Sequence, residues 1–138
     1  MAVNFSKFNA FIADVYNGVH DFSSDSFKLV LTNTAPTSSD SVLADITQIS
    51  AGNGYTAGGN AMVVVSSTQT SGTYSLVGTD VTFTASGGSI ADFRYAVLYN
   101  DTSASDSLVG YYDNGSTVSL SDTETFTWDT GATVFIAS

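Results

Sequence analysis

The feature that most constrains the fold is a series of short, strand-like segments that alternate with turns along most of the chain. The segments are rich in Val, Phe, Tyr, Thr and Ile, and the residues between them are mainly Gly, Ser, Asn and Asp. Short strands at roughly ten-residue spacing are typical of antiparallel sandwiches and barrels, not of βαβ folds. The predicted strands are residues 27–32, 61–67, 72–76, 80–85, 93–99, 108–112, 117–120, 124–128 and 133–137.

These strands are too many for one small sheet, and two layers would bury their apolar faces and limit exposed edges. We therefore predict an all-β fold, an antiparallel and jelly-roll-like β-sandwich. In the first strand, Phe27, Leu29 and Leu31 are expected to share one face. Apolar residues make up 43% of the chain, which is too much for a disordered protein.

The N-terminal region has a different pattern, since its apolar residues recur at steps of three and four, as on one face of a helix. The spacing predicts an amphipathic helix over residues 4–19, with Asn4 as its N-cap and Gly18 as its stop. The stripe is expected to pack on the chain's own β core, and docking on a neighbouring subunit is the alternative. Its members are Phe5, Phe8, Phe11, Ile12, Val15 and Val19.

The rest of the chain, residues 27–138, is expected to form the β-rich body, and residues 1–138 together a single domain. Residues 42–49 fit helical spacing slightly better than strand spacing, so one or two helical turns are predicted there. Residues 50–60 contain four glycines and are predicted to form an irregular surface loop.

The chain is strongly acidic, with three basic residues, Lys7, Lys28 and Arg94, against thirteen acidic ones and a formal net charge of −10. Such a field repels phosphate, so neither nucleic acid nor an anionic membrane surface is an expected partner. No stretch approaches the roughly 20 apolar residues that cross a bilayer. Cysteine is absent, which excludes disulfides and thiolate sites.

Catalytic chemistry has no specific signal in this sequence. The only histidine, His20, follows the predicted helix, where a cationic ring would interact favourably with the helix dipole. No serine lies in a G-x-S-x-G motif, and no pair of carboxylates stands out for glycoside hydrolysis. We predict that the chain is not an enzyme and has no catalytic residue.

Ligand motifs are equally weak. The segments 100–106 and 113–115 contain Asp and Asn oxygens that suit Ca²⁺, but neither has EF-hand spacing, so ordinary turns are predicted. The glycines at 52–59 lack the Gly-Lys-Ser/Thr ending of a phosphate loop. No metal or cofactor is therefore expected.

The tyrosines are the candidate interface residues. Tyrosine combines a large apolar area with a polar tip, which suits interfaces and sugar-binding surfaces, but also half-buried strand positions. Both interpretations stay open for Tyr55, Tyr95, Tyr99, Tyr111 and Tyr112.

Four segments carry a resemblance to a known group of proteins: LTNTAP at 31–36, LADI at 43–46, AGNGY at 51–55 and FRYAVLYND at 93–101. They resemble a family of small structural proteins encoded in tailed-bacteriophage genomes, and the likeness extends from the N-terminal helix to about Trp128. The resemblance implies a virion protein, made in the host cytoplasm.

Within the virion, the resemblance is to capsid decoration or cement proteins, which would bind the major capsid protein and self-associate, as a trimer, on the outer capsid surface. The alternative is a tail fibre or baseplate accessory, or a glycan-binding module for host recognition.

Overall fold

The computed structural model describes residues 4–137 and shows a mostly β protein, with 48% strand and 8% helix. In chain order its elements are β1 (Asn4–Lys7), α1 (Asn9–Tyr16), β2 (Phe27–Thr32), a 3₁₀ turn (Leu43–Asp45), β3 (Asn60–Met62), β4 (Val64–Thr70), β5 (Thr73–Gly78), β6 (Val81–Thr84), β7 (Ile90–Asn100), β8 (Leu108–Leu120), β9 (Thr125–Trp128) and β10 (Phe135–Ala137).

The strands form three antiparallel sheets. A five-stranded sheet has the order β1-β8-β7-β2-β3, a three-stranded sheet has the order β10-β5-β4, and β6 pairs with β9. The sheets pack together around one large apolar core. The predicted all-β antiparallel sandwich is therefore confirmed.

The five-stranded sheet is buried on both faces at its centre. Phe27, Leu29 and Leu31 of β2 face the large core, as predicted, whereas Val30 and Val97 belong to a second cluster on the opposite face. The chain between β2 and β3 covers that second face with Leu43 and Ile46. Its helical part is the single 3₁₀ turn, at the short end of the prediction for residues 42–49.

The N-terminal helix is shorter than predicted. Residues 4–7 form β1, which pairs with β8, so the prediction of helix from residue 4 was wrong. Phe5 packs beside Tyr112 at a ring-centroid distance of 5.0 Å, and pairing with β8 provides hydrogen-bond partners for the β1 backbone. Gly18 acts as the predicted stop, because it lies just after the helix with a φ of +78° and its N–H donates to Val15 O.

The two predicted strands 108–112 and 117–120 are one strand. β8 continues through residues 113–116 because β7 is long enough to pair with both of its halves. The register shifts between Phe93 and Tyr95, whose partners on β8 are Val118 and Asp113, so the turn-like residues between them form a bulge.

Candidate interaction surface

Helix α1 has apolar residues on two sides. Phe11 points inward and is only 3% exposed, whereas Ile12, Val15 and Tyr16 are exposed by 51%, 38% and 87%. Ile12 lies three and four residues before the other two, so the three side chains form one outer stripe. A helix that is apolar on both sides normally has a second partner. The prediction that Ile12 packs in the core was wrong, because Ile12 lies about 100° around the helix from Phe11, which faces the core.

Three further large hydrophobic side chains are exposed. Ile136 alternates with buried Phe135 on β10 and is 54% exposed. Val63, between β3 and β4, and Val65, in β4, are 61% and 63% exposed. We call the six residues together the apolar face; they are Ile12, Val15, Tyr16, Val63, Val65 and Ile136, and they are the exposed large hydrophobic residues of the described chain, residues 4–137.

The apolar face lines two neighbouring clefts. The helix cleft, of about 640 Å³, runs between α1 and β10 and contains Ile12 and Ile136. The strand cleft, of about 430 Å³, is bordered by residues 22–27 and 61–67, including Val63 and Val65. Phe22, Ser23 and Ser67 border both clefts, so the two clefts adjoin.

His20 lies beneath the helix cleft, and its side chain is fully buried. Asn100 Oδ1 accepts hydrogen bonds from the N–H groups of Thr102, at 2.9 Å, and Ser103, at 3.2 Å, so its Nδ2 must be the donor to His20 Nδ1, at 3.2 Å. Burial lowers the pKa of His20, against the opposing effect of Asp14, whose Oδ2 is 3.9 Å from Nε2. The ring is therefore neutral near pH 7, and the prediction of a cationic histidine at the helix end was wrong.

Three of the five candidate tyrosines lie in the interior. Tyr55, Tyr99 and Tyr112 are 1–2% exposed, which removes them from the candidate interface. Tyr95 and Tyr111 are half-buried neighbours with a centroid distance of 6.4 Å, and for these two the interface role stays a prediction.

Two buried tyrosines instead hold the glycine-rich loop. Tyr55 donates to Gln48 Oε1 at 2.9 Å and accepts a hydrogen bond from the N–H of Leu31 at 3.2 Å. Tyr99 donates to Gly58 O at 2.8 Å, and burial raises the pKa of its hydroxyl to about 12. The predicted irregular loop at 50–60 is present, but it is tied to β2 and β7 through these hydroxyls.

The acidic loops have structural roles in their present geometry. Asp101 forms an ion pair with Lys28 at 3.5 Å, and Asp113 forms two hydrogen bonds with the Arg94 guanidinium. The same guanidinium lowers the pKa of the Asp113 carboxyl. Within residues 4–137, no group of three or more His, Asp or Glu side chains is arranged to hold a metal ion.

Among the described residues no helix has both the length and the apolar character to span a membrane. No family model, curated protein or solved structure matches this chain. The apolar face is the most distinctive feature of the described surface.

One feature of the sequence indicates part of this face. Val63, Val64 and Val65 are consecutive. Successive side chains of a strand point to opposite faces, so three valines in a row cannot all reach one core. Ile136 gave no comparable signal, because its exposure depends on how β10 meets β5.

Proposed function

We propose that this chain is a non-enzymatic structural protein of a tailed-bacteriophage virion. It decorates the outer capsid surface, binds the major capsid protein and other copies of itself, and stabilises the head. The proposal is supported by the sequence resemblance and by one structural observation, the exposed hydrophobic side chains that border two adjoining clefts.

An apolar face of this kind favours protein binding. Small soluble proteins normally scatter their exposed hydrophobic residues, and contiguous groups mark interaction sites. Here Ile12, Tyr16 and Ile136 border the helix cleft, which a protruding apolar side chain of a coat protein could fill. Tyrosine, the residue type of Tyr16, is enriched in protein interfaces.

The negative net charge favours a position on the outside of the shell. With a net charge of −10, the protein is repelled by packaged nucleic acid, which disfavours an internal position beside the genome. The same charge keeps the remaining surface well solvated. Burial of the apolar face on the coat would leave the acidic surface in solution.

The test is co-sedimentation of the purified protein with undecorated shells of the phage that encodes it. We expect the wild-type protein to bind and Ile12→Ser to bind at least about tenfold more weakly, which corresponds to a loss of about 1.4 kcal/mol. Thr117→Ala, an exposed β8 position outside both clefts, is the matched control and should bind like wild type.

The position in the virion is tested separately by labelling intact particles. Label over the head supports decoration, whereas label confined to the tail contradicts it. Glycan-array binding that disappears in Tyr16→Ala would instead support the tail or host-recognition alternative.

A further inference from the structure

Strand β4 is the longest free edge of the two larger sheets. It spans Val64–Thr70, whereas the other edge strands, β1, β3 and β10, have four, three and three residues. Its sequence contains no charged residue and no proline, the two features that usually protect an edge from pairing. Within residues 4–137, no strand pairs with its outer side.

The β4–β5 hairpin determines which backbone groups point outward. Its turn, Ser71 and Gly72, has positive φ at both positions, as in a two-residue type I′ turn. Thr70 then exchanges hydrogen bonds with Thr73, and the alternation of an antiparallel ladder directs the N–H and C=O groups of Ser67 and Gln69 away from β5.

These outward groups are complementary to their own copies. A two-fold axis at Thr68 places Ser67 of one chain opposite Gln69 of the other, and both residues then form hydrogen-bonded pairs. Thr68 lies opposite its own copy, a pairing that stabilises antiparallel strands. The β-bulge at Val65 interrupts the register only at the N-terminal end of this edge, outside the paired segment.

We propose that two copies of this chain associate through antiparallel pairing of β4, centred on Thr68, so that their three-stranded sheets become one six-stranded sheet. β4 carries no charge of its own that would repel a second copy of this acidic chain. Thr68, at the axis, borders neither cleft, although its neighbour Ser67 borders both, and the contact does not depend on the virion role. It also specifies a dimer, in contrast to the trimer that the resemblance implies.

The first experiment measures the mass of the full-length protein by sedimentation equilibrium. We expect a dimer for wild type and a shift to monomer for Thr68→Lys, because two like charges would face each other at the axis. The association constant should fall at least about tenfold. Thr117→Lys adds the same charge at another exposed strand position and should remain dimeric.

A charge-swap experiment separates this register from a general effect of charge. Thr68→Lys and Thr68→Glu should each be monomeric alone, and an equimolar mixture should form a heterodimer because the opposite charges meet at the axis. Circular dichroism checks that both variants are folded. A wild-type monomer, a trimer insensitive to Thr68→Lys, or variants that fail to pair on mixing would each overturn the proposal.

The dimer can be tested separately from shell binding because the substituted residue, Thr68, borders neither cleft. Thr68→Lys should still bind undecorated shells through the helix cleft, at reduced avidity, if the proposed function is correct. Loss of dimerisation without loss of shell binding therefore distinguishes the two surfaces.

Discussion

At the scale of single residues, His20 makes stability depend on pH. Burial lowers its pKa from the ordinary value of 6.5, so the folded chain binds this proton more weakly than the unfolded chain. The contribution of the neutral ring is complete above pH 6.5 and is lost as the pH falls from there towards the lowered pKa. A protonated Nδ1 would also oppose the Nδ2–H of Asn100, which now donates to it.

We expect the unfolding free energy of the wild type to fall in this window, by at most about 1.4 kcal/mol per pH unit. His20→Asn keeps an acceptor for Asn100 and removes the titration. It should be less stable at neutral pH, because the ring packs against Phe22 and Phe27, but its stability should change less with pH. Urea denaturation at a series of pH values measures both effects, and parallel pH profiles would contradict this assignment.

Gly18 and Gly59 allow the cost of a positive φ to be measured separately from the cost of a steric clash. Gly59 and Gly18 have similar φ values, +75° and +78°, but a Cβ at Gly59 would collide with the backbone carbonyl of Leu29, while a Cβ at Gly18 has open space. Gly18→Ala should cost about 1 kcal/mol from the positive φ alone. Gly59→Ala should cost about 2–4 kcal/mol, because the loop must also move away from β2. Equal losses of unfolding free energy in urea denaturation would contradict this expectation and show that the loop moves away from β2 at little cost.

At the scale of elements, α1 should tolerate changes on one side only. Phe8, at the N-cap, is 1% exposed and packs in the second apolar cluster, so Phe8→Ala should destabilise the protein by about 3–5 kcal/mol. Ile12→Ala should change stability by no more than about 0.5 kcal/mol. Thermal melting of dilute protein compares the two variants. Similar melting temperatures would contradict the conclusion that Phe8 lies on the core side and Ile12 on the exposed side.

The same helix shows how far the sequence could predict the fold. Strand positions and the antiparallel class followed from local alternation, because each strand needs only its own period to be recognised. The start of α1 did not, because Phe5 and Phe8 fit a helical period equally well as strand and N-cap residues. Pairing with β8, a contact across more than a hundred residues, decided between the two.

The candidate site was harder to predict than the fold. Tyrosine is suited to both interiors and interfaces, and the outcome for Tyr55 and Tyr99 depended on Gln48 and Gly58, which accept hydrogen bonds from their hydroxyl groups. The apolar face combines α1, the β3–β4 connection and β10, which are far apart in the chain. No local pattern records such a combination.

At the scale of the whole molecule, the proposed self-association is opposed by the chain's own charge. Each copy carries −10, so bringing two copies together is opposed by long-range repulsion wherever the contact lies. A contact made by the uncharged β4 edge has no attractive ion pair to offset this repulsion. Salt should therefore act on the repulsion alone.

Raising the ionic strength from about 0.01 M to about 0.15 M shortens the screening length from about 30 Å to about 8 Å. We expect wild-type dimerisation to strengthen over this range, and Thr68→Lys to recover part of its lost association, because the two lysines are screened as well. Sedimentation equilibrium at both salt concentrations measures this. If dimerisation instead weakens with salt, the contact must bring a basic residue, Lys7, Lys28 or Arg94, against the acidic surface of the other copy, and the contact cannot be made by β4, which carries no charge.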